Sequence, residues 1–408
     1  MERLLLTNIG TLATPEGKAA RCGTAQGEIR LRRNAWVLIE NERIAAVGEG
    51  EPPACDAAVL DCGGQLVTPG LVDAHTHLIF GGWRQHELGL KLHGASYLDI
   101  QNAGGGIQST TNATRQASAE ELEEKARRAL DEMLHFGATT VEAKSGYGLA
   151  TAHELKALEV IRSLNARHAV DLVGTFMGAH LVPAEYKTDR EAYVRLVCEE
   201  MLPRVKEQGV AEFCDVFCEA DTFTVDESRR ILEAGLKHGL RAKIHADEIE
   251  AIGGSVLSGE LGAISAEHLI VCPPEGIEAM AKGGVIACLL PATSFNLGAA
   301  FAPARDMIRA GVPVAMATDF NPGSCPCLNM QFVINLGCLK YRLTPEEVLT
   351  AVTLNGAAAI DRAESVGSVE PGKLGDLVLW DAPDLDYICY RVGSNLVRSV
   401  IKRGRLCV

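Results

Sequence analysis

From residue 66 onward, short apolar runs alternate with amphipathic stretches of helical period, and the alternation repeats eight times. Runs at 71–77, 139–143, 170–177, 213–218, 241–245, 263–268, 285–290 and 314–318 have the length and apolar character of buried parallel strands. The stretches between them carry proper helix starts. Ser118-Ala119-Glu120-Glu121 is a capping box ahead of Leu122, Ala126, Ala129 and Met133, a stripe at helical spacing. Thr151 to Glu154, Thr224 to Glu227 and Thr344 to Glu347 repeat the signal, the last with Pro345 at the first helical position. Eight β/α units in series predict an α/β fold, a closed (β/α)8 TIM barrel, with an open doubly wound sheet as the runner-up.

The two ends of the chain read differently. Runs at 4–9, 35–39, 44–47 and 58–60 are strand-like, punctuated by Gly, Pro and Asn, and 373–380 and 397–402 share that character. They predict one small β-sandwich built from both termini, dividing the chain into 1–67, a barrel over 68–364, and 365–408.

Composition narrows the partners. A formal net charge of −14 argues against nucleic acid or an anionic membrane surface, whereas a small anionic substrate needs only a local cation. The first residues are too briefly apolar for a signal peptide, and no run of about 18 apolar residues occurs, so a cytoplasmic protein is expected. The 13 cysteines are scattered and read as reduced thiols; Cys325-Pro326-Cys327 is the one close pair, read as small loop or core thiols.

Chemistry belongs at the C-terminal ends of barrel strands. His75 and His77 end the first run, His245 the fifth, His268 the sixth, and Asp319 follows the eighth. Three imidazoles and a carboxylate, His75, His77, His245 and Asp319, suit zinc or iron with water completing the coordination. Such a metal acidifies water to near neutrality, and Glu248, three residues beyond His245, is placed to shuttle its proton to a leaving nitrogen. His268 is read as orienting water or steadying an oxyanion rather than adding a ligand. Arg84, just past the histidines, offers a guanidinium that can grip a carboxylate through two parallel hydrogen bonds. The glycine-rich stretch 103–110 lacks a Gly-Lys-Ser/Thr ending, so it reads as a flap or a plain turn and not as a phosphate loop.

This constellation resembles the amidohydrolase superfamily over nearly the whole chain. Many members hold two metals bridged by a carboxylated lysine at the end of strand four; here that strand reads Glu212 to Glu219 with no lysine, which implies one Zn2+ or Fe2+/Fe3+ per subunit. Lys144, at the end of strand two, is the only competing lysine and reads better as a charge paired with a carboxylate. The resemblance further implies substrate contacts for Arg84, Tyr147, His180, Glu248, Asn321, Gly323 and Ser324, a catalytic set of Glu248, His268 and Asp319, and a homodimer. It implies hydrolytic opening of a small anionic heterocycle. The alternative within the superfamily is deamination of a nucleobase, for which Arg84 has no use; a third reading is a barrel without catalysis, kept as a scaffold.

Overall fold

The N-terminal apolar runs lie in five strands of the computed structural model, which describes residues 3–94 and 104–408. They are β1 (Arg3–Thr14), β2 (Arg30–Glu40), β3 (Arg43–Glu49), β4 (Ala58–Asp61) and β5 (Leu66–Pro69). Eight barrel strands follow: β6 (Leu71–Asp73), β7 (Ala138–Lys144), β8 (Asp171–Ala179), β9 (Ala211–Cys218), β10 (Arg241–Ala246), β11 (Ser265–His268), β12 (Ile286–Leu289) and β13 (Val314–Met316). The chain ends in β14 (Leu377–Trp380), β15 (Val397–Lys402) and β16 (Arg405–Leu406).

The terminal strands make one sheet in the order β16-β15-β14-β5-β1-β2-β3, with β4 on β1. Its two halves are joined by β5 and β14, which pair antiparallel with Val67 opposite Leu379 and Pro69 opposite Leu377. The sheet curls so that β3 reaches the segment leading into β14, since Arg43 bridges Leu374 and the Ile44 amide donates to the Lys373 carbonyl. Leu6, Ile9, Leu12, Val37, Ile39, Leu377, Leu379 and Ile401 fill the interior so formed. The expected body from both termini is therefore present.

β6 to β13 pair in chain order, all parallel. A doubly wound sheet would leave two edges. Here Thr76 bridges Phe320, the His77 amide donates to the Phe320 carbonyl at 2.9 Å, and the Asp319 amide donates to the His75 carbonyl at 3.0 Å. The barrel closes at this seam. The sequence pattern runs strands one and eight to His77 and Thr318, but regular pairing stops at Asp73 and Met316. The reason is a side chain in the ladder: the Asp73 carboxylate takes the Thr318 amide at 3.0 Å and the Thr318 hydroxyl at 2.6 Å.

Three of the four helix starts carry the predicted capping box, at Ser118/Glu121, Thr224/Glu227 and Thr344/Glu347. The fourth does not. Helix Thr151–Asn165 begins after Ala150 with no side-chain cap, because buried Glu154 turns outward to accept the Gly146, Gly148 and Leu149 amides at 2.7–2.9 Å. Of the glycine-rich stretch, Ala103 lies outside the described residues, and Gly106–Gln116 is a helix, so the glycines lead into a helix instead of a plain turn. All 13 cysteines are free thiols. No helix among the described residues is long and apolar enough to cross a membrane.

Candidate metal centre

A barrel interior is ordinarily filled by branched aliphatic side chains. In this one Glu142 and Lys144 on β7, Asp215 on β9, Lys243 and His245 on β10, and Glu267 on β11 are all buried there. Each is partnered. His75 Nδ1 lies 2.9 Å from Glu267 Oε2, and Lys243 Nζ stands 3.2 Å from the other oxygen of that carboxylate. His245 Nδ1 lies 2.9 Å from Asp215 Oδ1. Lys144 Nζ joins Asp215 Oδ2 at 2.9 Å to Glu142 Oε1 at 2.7 Å, and Glu142 Oε2 accepts the Thr76 amide at 3.2 Å. Lys144 is thus the paired charge expected. Burial pushes the Asp215 carboxyl up, but the pull of His245 and Lys144 more than reverses it and keeps it ionised.

These carboxylates fix the imidazole tautomers. A carboxylate at Nδ1 accepts a hydrogen bond from the proton held on that nitrogen and leaves the Nε2 lone pair bare, the form in which histidine binds metal. Burial first, then neighbouring cationic groups, holds His75, His77 and His268 well below the usual histidine range, so these rings are neutral. His77 Nε2 faces His245 Nε2 at 3.3 Å, and Asp319 Oδ1 stands 3.5 Å from both His75 Nε2 and His77 Nε2. Donor atoms on a tetrahedral ion with bonds of about 2.0–2.1 Å are roughly 3.3–3.4 Å apart. His75 Nε2 and Asp319 Oδ1 are buried with no hydrogen-bond partner, an arrangement that bound metal would relieve. Asp319 is held from its other side by the Thr293 hydroxyl, 2.6 Å from Oδ2. The residues fit a bound metal ion.

Asp319 and His268 both have left-handed backbone, at φ of 56° and 68°. Non-glycine residues rarely adopt this conformation, and it clusters at functional sites. His268 shares the cluster: its donor atom lies within 4.8 Å of those of His75 and Asp319. Glu248 stands beside it, Oε2 at 3.6 Å from His268 Nε2, with its side chain 13% exposed. Burial, then the Asp319 and Glu219 carboxylates, pushes Glu248 up to about 8.

Aromatic groups and one cation line the rim. His180 stacks on His77 with ring centres 5.0 Å apart, and its Nδ1 lies 3.0 Å from the Gly146 carbonyl. Tyr147 packs 5.1 Å from His180 and 5.8 Å from His77. The Arg84 amide reaches the Pro322 carbonyl at 3.3 Å, so the loops after strands one and eight meet beside the centre. Asn321, expected to contact substrate, holds its own loop together. Its Oδ1 accepts the Gly323 and Ser324 amides at 2.9 and 2.8 Å, and its Nδ2 donates to the Asp319 carbonyl at 2.7 Å. Side chain and amides are engaged within the loop, which shapes the rim around Asp319.

Sequence reading missed Asp215, Glu267, Thr293, Glu219 and Glu87. For the first two the signal was present: an acid inside an apolar strand of a closed barrel has no water to face and needs a partner. Glu219 and Glu87 carried none, because what they bind is backbone or a neighbour on a loop.

A barrel with metal-competent donors at the ends of strands one, five and eight defines a class. This chain belongs to the amidohydrolase family, whose model matches residues 66–407. It is 54% identical to the imidazolonepropionase of Alkaliphilus metalliredigens over 100% of this chain and 98% of that protein, and 50% identical to that of Geobacillus kaustophilus over 100% and 96%. Within the class its place is therefore among the imidazolonepropionases. Solved structures agree on the fold: atrazine chlorohydrolase from Arthrobacter aurescens TC1, complexed with zinc, has a TM-score of 0.74 at 18% identity, covering 99% of this chain and 94% of that one. Guanine deaminase from C. acetobutylicum, with bound guanine, has a TM-score of 0.69 at 16% identity, covering 100% of each chain.

Proposed function

We propose that this chain hydrolyses 4-imidazolone-5-propanoate to N-formimidoyl-L-glutamate, a step of histidine degradation, with one zinc or iron ion held by His75, His77, His245 and Asp319. The observation that carries the metal assignment is the convergence of bare donors 3.3–3.5 Å apart, oriented by Glu267 and Asp215. What the ion supplies when bound is a water acidified to near neutrality and a Lewis acid for the ring carbonyl.

The chain's own residues do the rest. Water adds to the ring carbonyl carbon, the adjacent carbon–nitrogen bond breaks, and the nitrogen leaves with a proton. Glu248 takes the proton from the attacking water and returns it to that nitrogen; an acid whose proton affinity lies near neutral pH serves both directions. His268, beside Glu248, steadies the oxygen on which charge develops, and Asp319 contributes the other carboxylate facing the reacting atoms. Arg84 takes the propionate, while His180 and Tyr147 pack against the ring. The Asn321 to Ser324 loop completes the pocket. Free thiols throughout suit a reducing, cytosolic compartment.

Disappearance of the imidazolone chromophore and appearance of the formimidoyl product, followed with and without a chelator, test this reading. Expected is turnover that chelation abolishes and zinc or iron restores. Ammonia released from guanine or cytosine, with the imidazolone left intact, would instead favour the aminohydrolase reading, for which only the shared fold speaks.

A further inference from the structure

A guanidinium has two edges that can each take a carboxylate: the side edge of Nε and Nη2, and the end edge of Nη1 and Nη2. In Arg84 the side edge is occupied. Nε donates to Glu87 Oε1 at 2.8 Å and Nη2 to Glu87 Oε2 at 3.1 Å. The guanidinium lies against Gly323, where an added Cβ would stand 2.2 Å from Nη1. No side chain other than hydrogen fits there without moving the cation.

Glu87 is itself anchored. It is fully buried, and its Oε1 also accepts the amide of Gly106, the first residue of helix Gly106–Gln116, at 2.7 Å. The preceding residue, Gly105, has no side chain with which to cap that helix, so Glu87 supplies the missing acceptor from a distance in sequence. One carboxylate therefore ties the orientation of the cation to the start of a helix.

We propose that Glu87 is a positioning residue: it occupies the side edge of Arg84 so that the end edge is presented to the carboxylate arm of the substrate, and Gly323 provides the bare surface on which the guanidinium rests. The proposal rests on the reading that Arg84 binds the propionate. The opposite role has the opposite sign, because a Glu87 that merely occupied Arg84 until substrate displaced it would weaken binding, and its removal would tighten it.

Steady-state kinetics of the metal-loaded enzyme separate these cases, using the imidazolone propionate and an analogue whose arm ends in a carboxamide. Glu87→Gln is expected to raise KM for the propionate about tenfold or more, as for one misaligned charge-assisted contact. kcat, metal content and KM for the carboxamide should stay within about twofold of the parent, which separates orientation from general damage. An unchanged or lowered KM for the propionate in Glu87→Gln, alongside a raised one in Arg84→Ala, overturns the proposal alone. An unchanged KM in Arg84→Ala overturns the carboxylate reading and the proposal with it. Should Glu87→Gln fail to fold, Gly323→Ala displaces the guanidinium with Glu87 in place; the same selective rise in KM supports the proposal, and its absence overturns it.

Discussion

Asp215→Asn attacks the centre without touching a metal ligand. Asp215 lies between two donors, Nδ1 of His245 at 2.9 Å from Oδ1 and the Lys144 ammonium at 2.9 Å from Oδ2, all buried. Asparagine offers one acceptor and one NH2 group, so it can satisfy only one of them. If its oxygen faces Lys144, its NH2 faces His245 and favours the tautomer with the proton on Nε2, where the metal should bind. If it faces His245, an NH2 abuts a buried ammonium left with Glu142 alone. The first arrangement should weaken metal binding about 10–100-fold, as loss of a histidine's carboxylate partner does, which is roughly 1.4–2.7 kcal/mol. The second should show as lost stability, since removing one partner of a buried ion pair costs about 3–5 kcal/mol. Competition against a chromophoric chelator measures the metal affinity and thermal unfolding the stability; turnover at saturating metal should largely recover. Metal affinity and unfolding temperature both unchanged would refute the role given to Asp215.

Glu248→Ala should retain metal while losing about 10²–10⁴-fold in kcat, whereas His245→Ala should lose both; near-normal turnover in the first would remove Glu248 as the shuttle. Glu219→Gln should lower kcat with metal content unchanged. Glu219 accepts the Glu248, Ile249 and Glu250 amides at 2.9–3.0 Å, and an amide there turns an NH2 against one of them, so the turn that carries Glu248 shifts. Unaltered kcat would show that the turn holds itself. Stripping the metal should lower the unfolding temperature, and adding zinc or iron at about 1,000 times its dissociation constant should restore roughly 4 kcal/mol; melting indifferent to chelator would count against the four-donor site.

The residues that chemistry requires to be particular types were readable from the chain. His-x-His at the end of an apolar run, His245 at another and Asp319 at a third share one mouth because strand period and barrel closure leave them no other place. The supporting shell was less readable. Glu154 sits at the third helical position after Thr151, where a capping box calls for it, yet tertiary demand from three loop amides takes it away. Asn321 matches a substrate-contacting position by motif, and only the folded loop reveals that its amide group also braces the backbone of Gly323, Ser324 and Asp319. Strands one and eight read two or more residues too long because an apolar pattern cannot show that Asp73 has replaced a ladder bond with its own side chain.

The seam at Thr76 and Phe320 has a consequence for the order in which the molecule is made. The donors that define the centre come from the first, fifth and last barrel strands, so a nascent chain emerging from the ribosome carries His75 and His77 long before the segment that holds Asp319 exists. Ring closure over that distance is an entropic debt that no local contact can settle early. An ion captured by all four donors would thus act as a rivet at the final join, and a chain truncated before β13 should neither retain it nor turn over substrate, however well its first seven strands are formed.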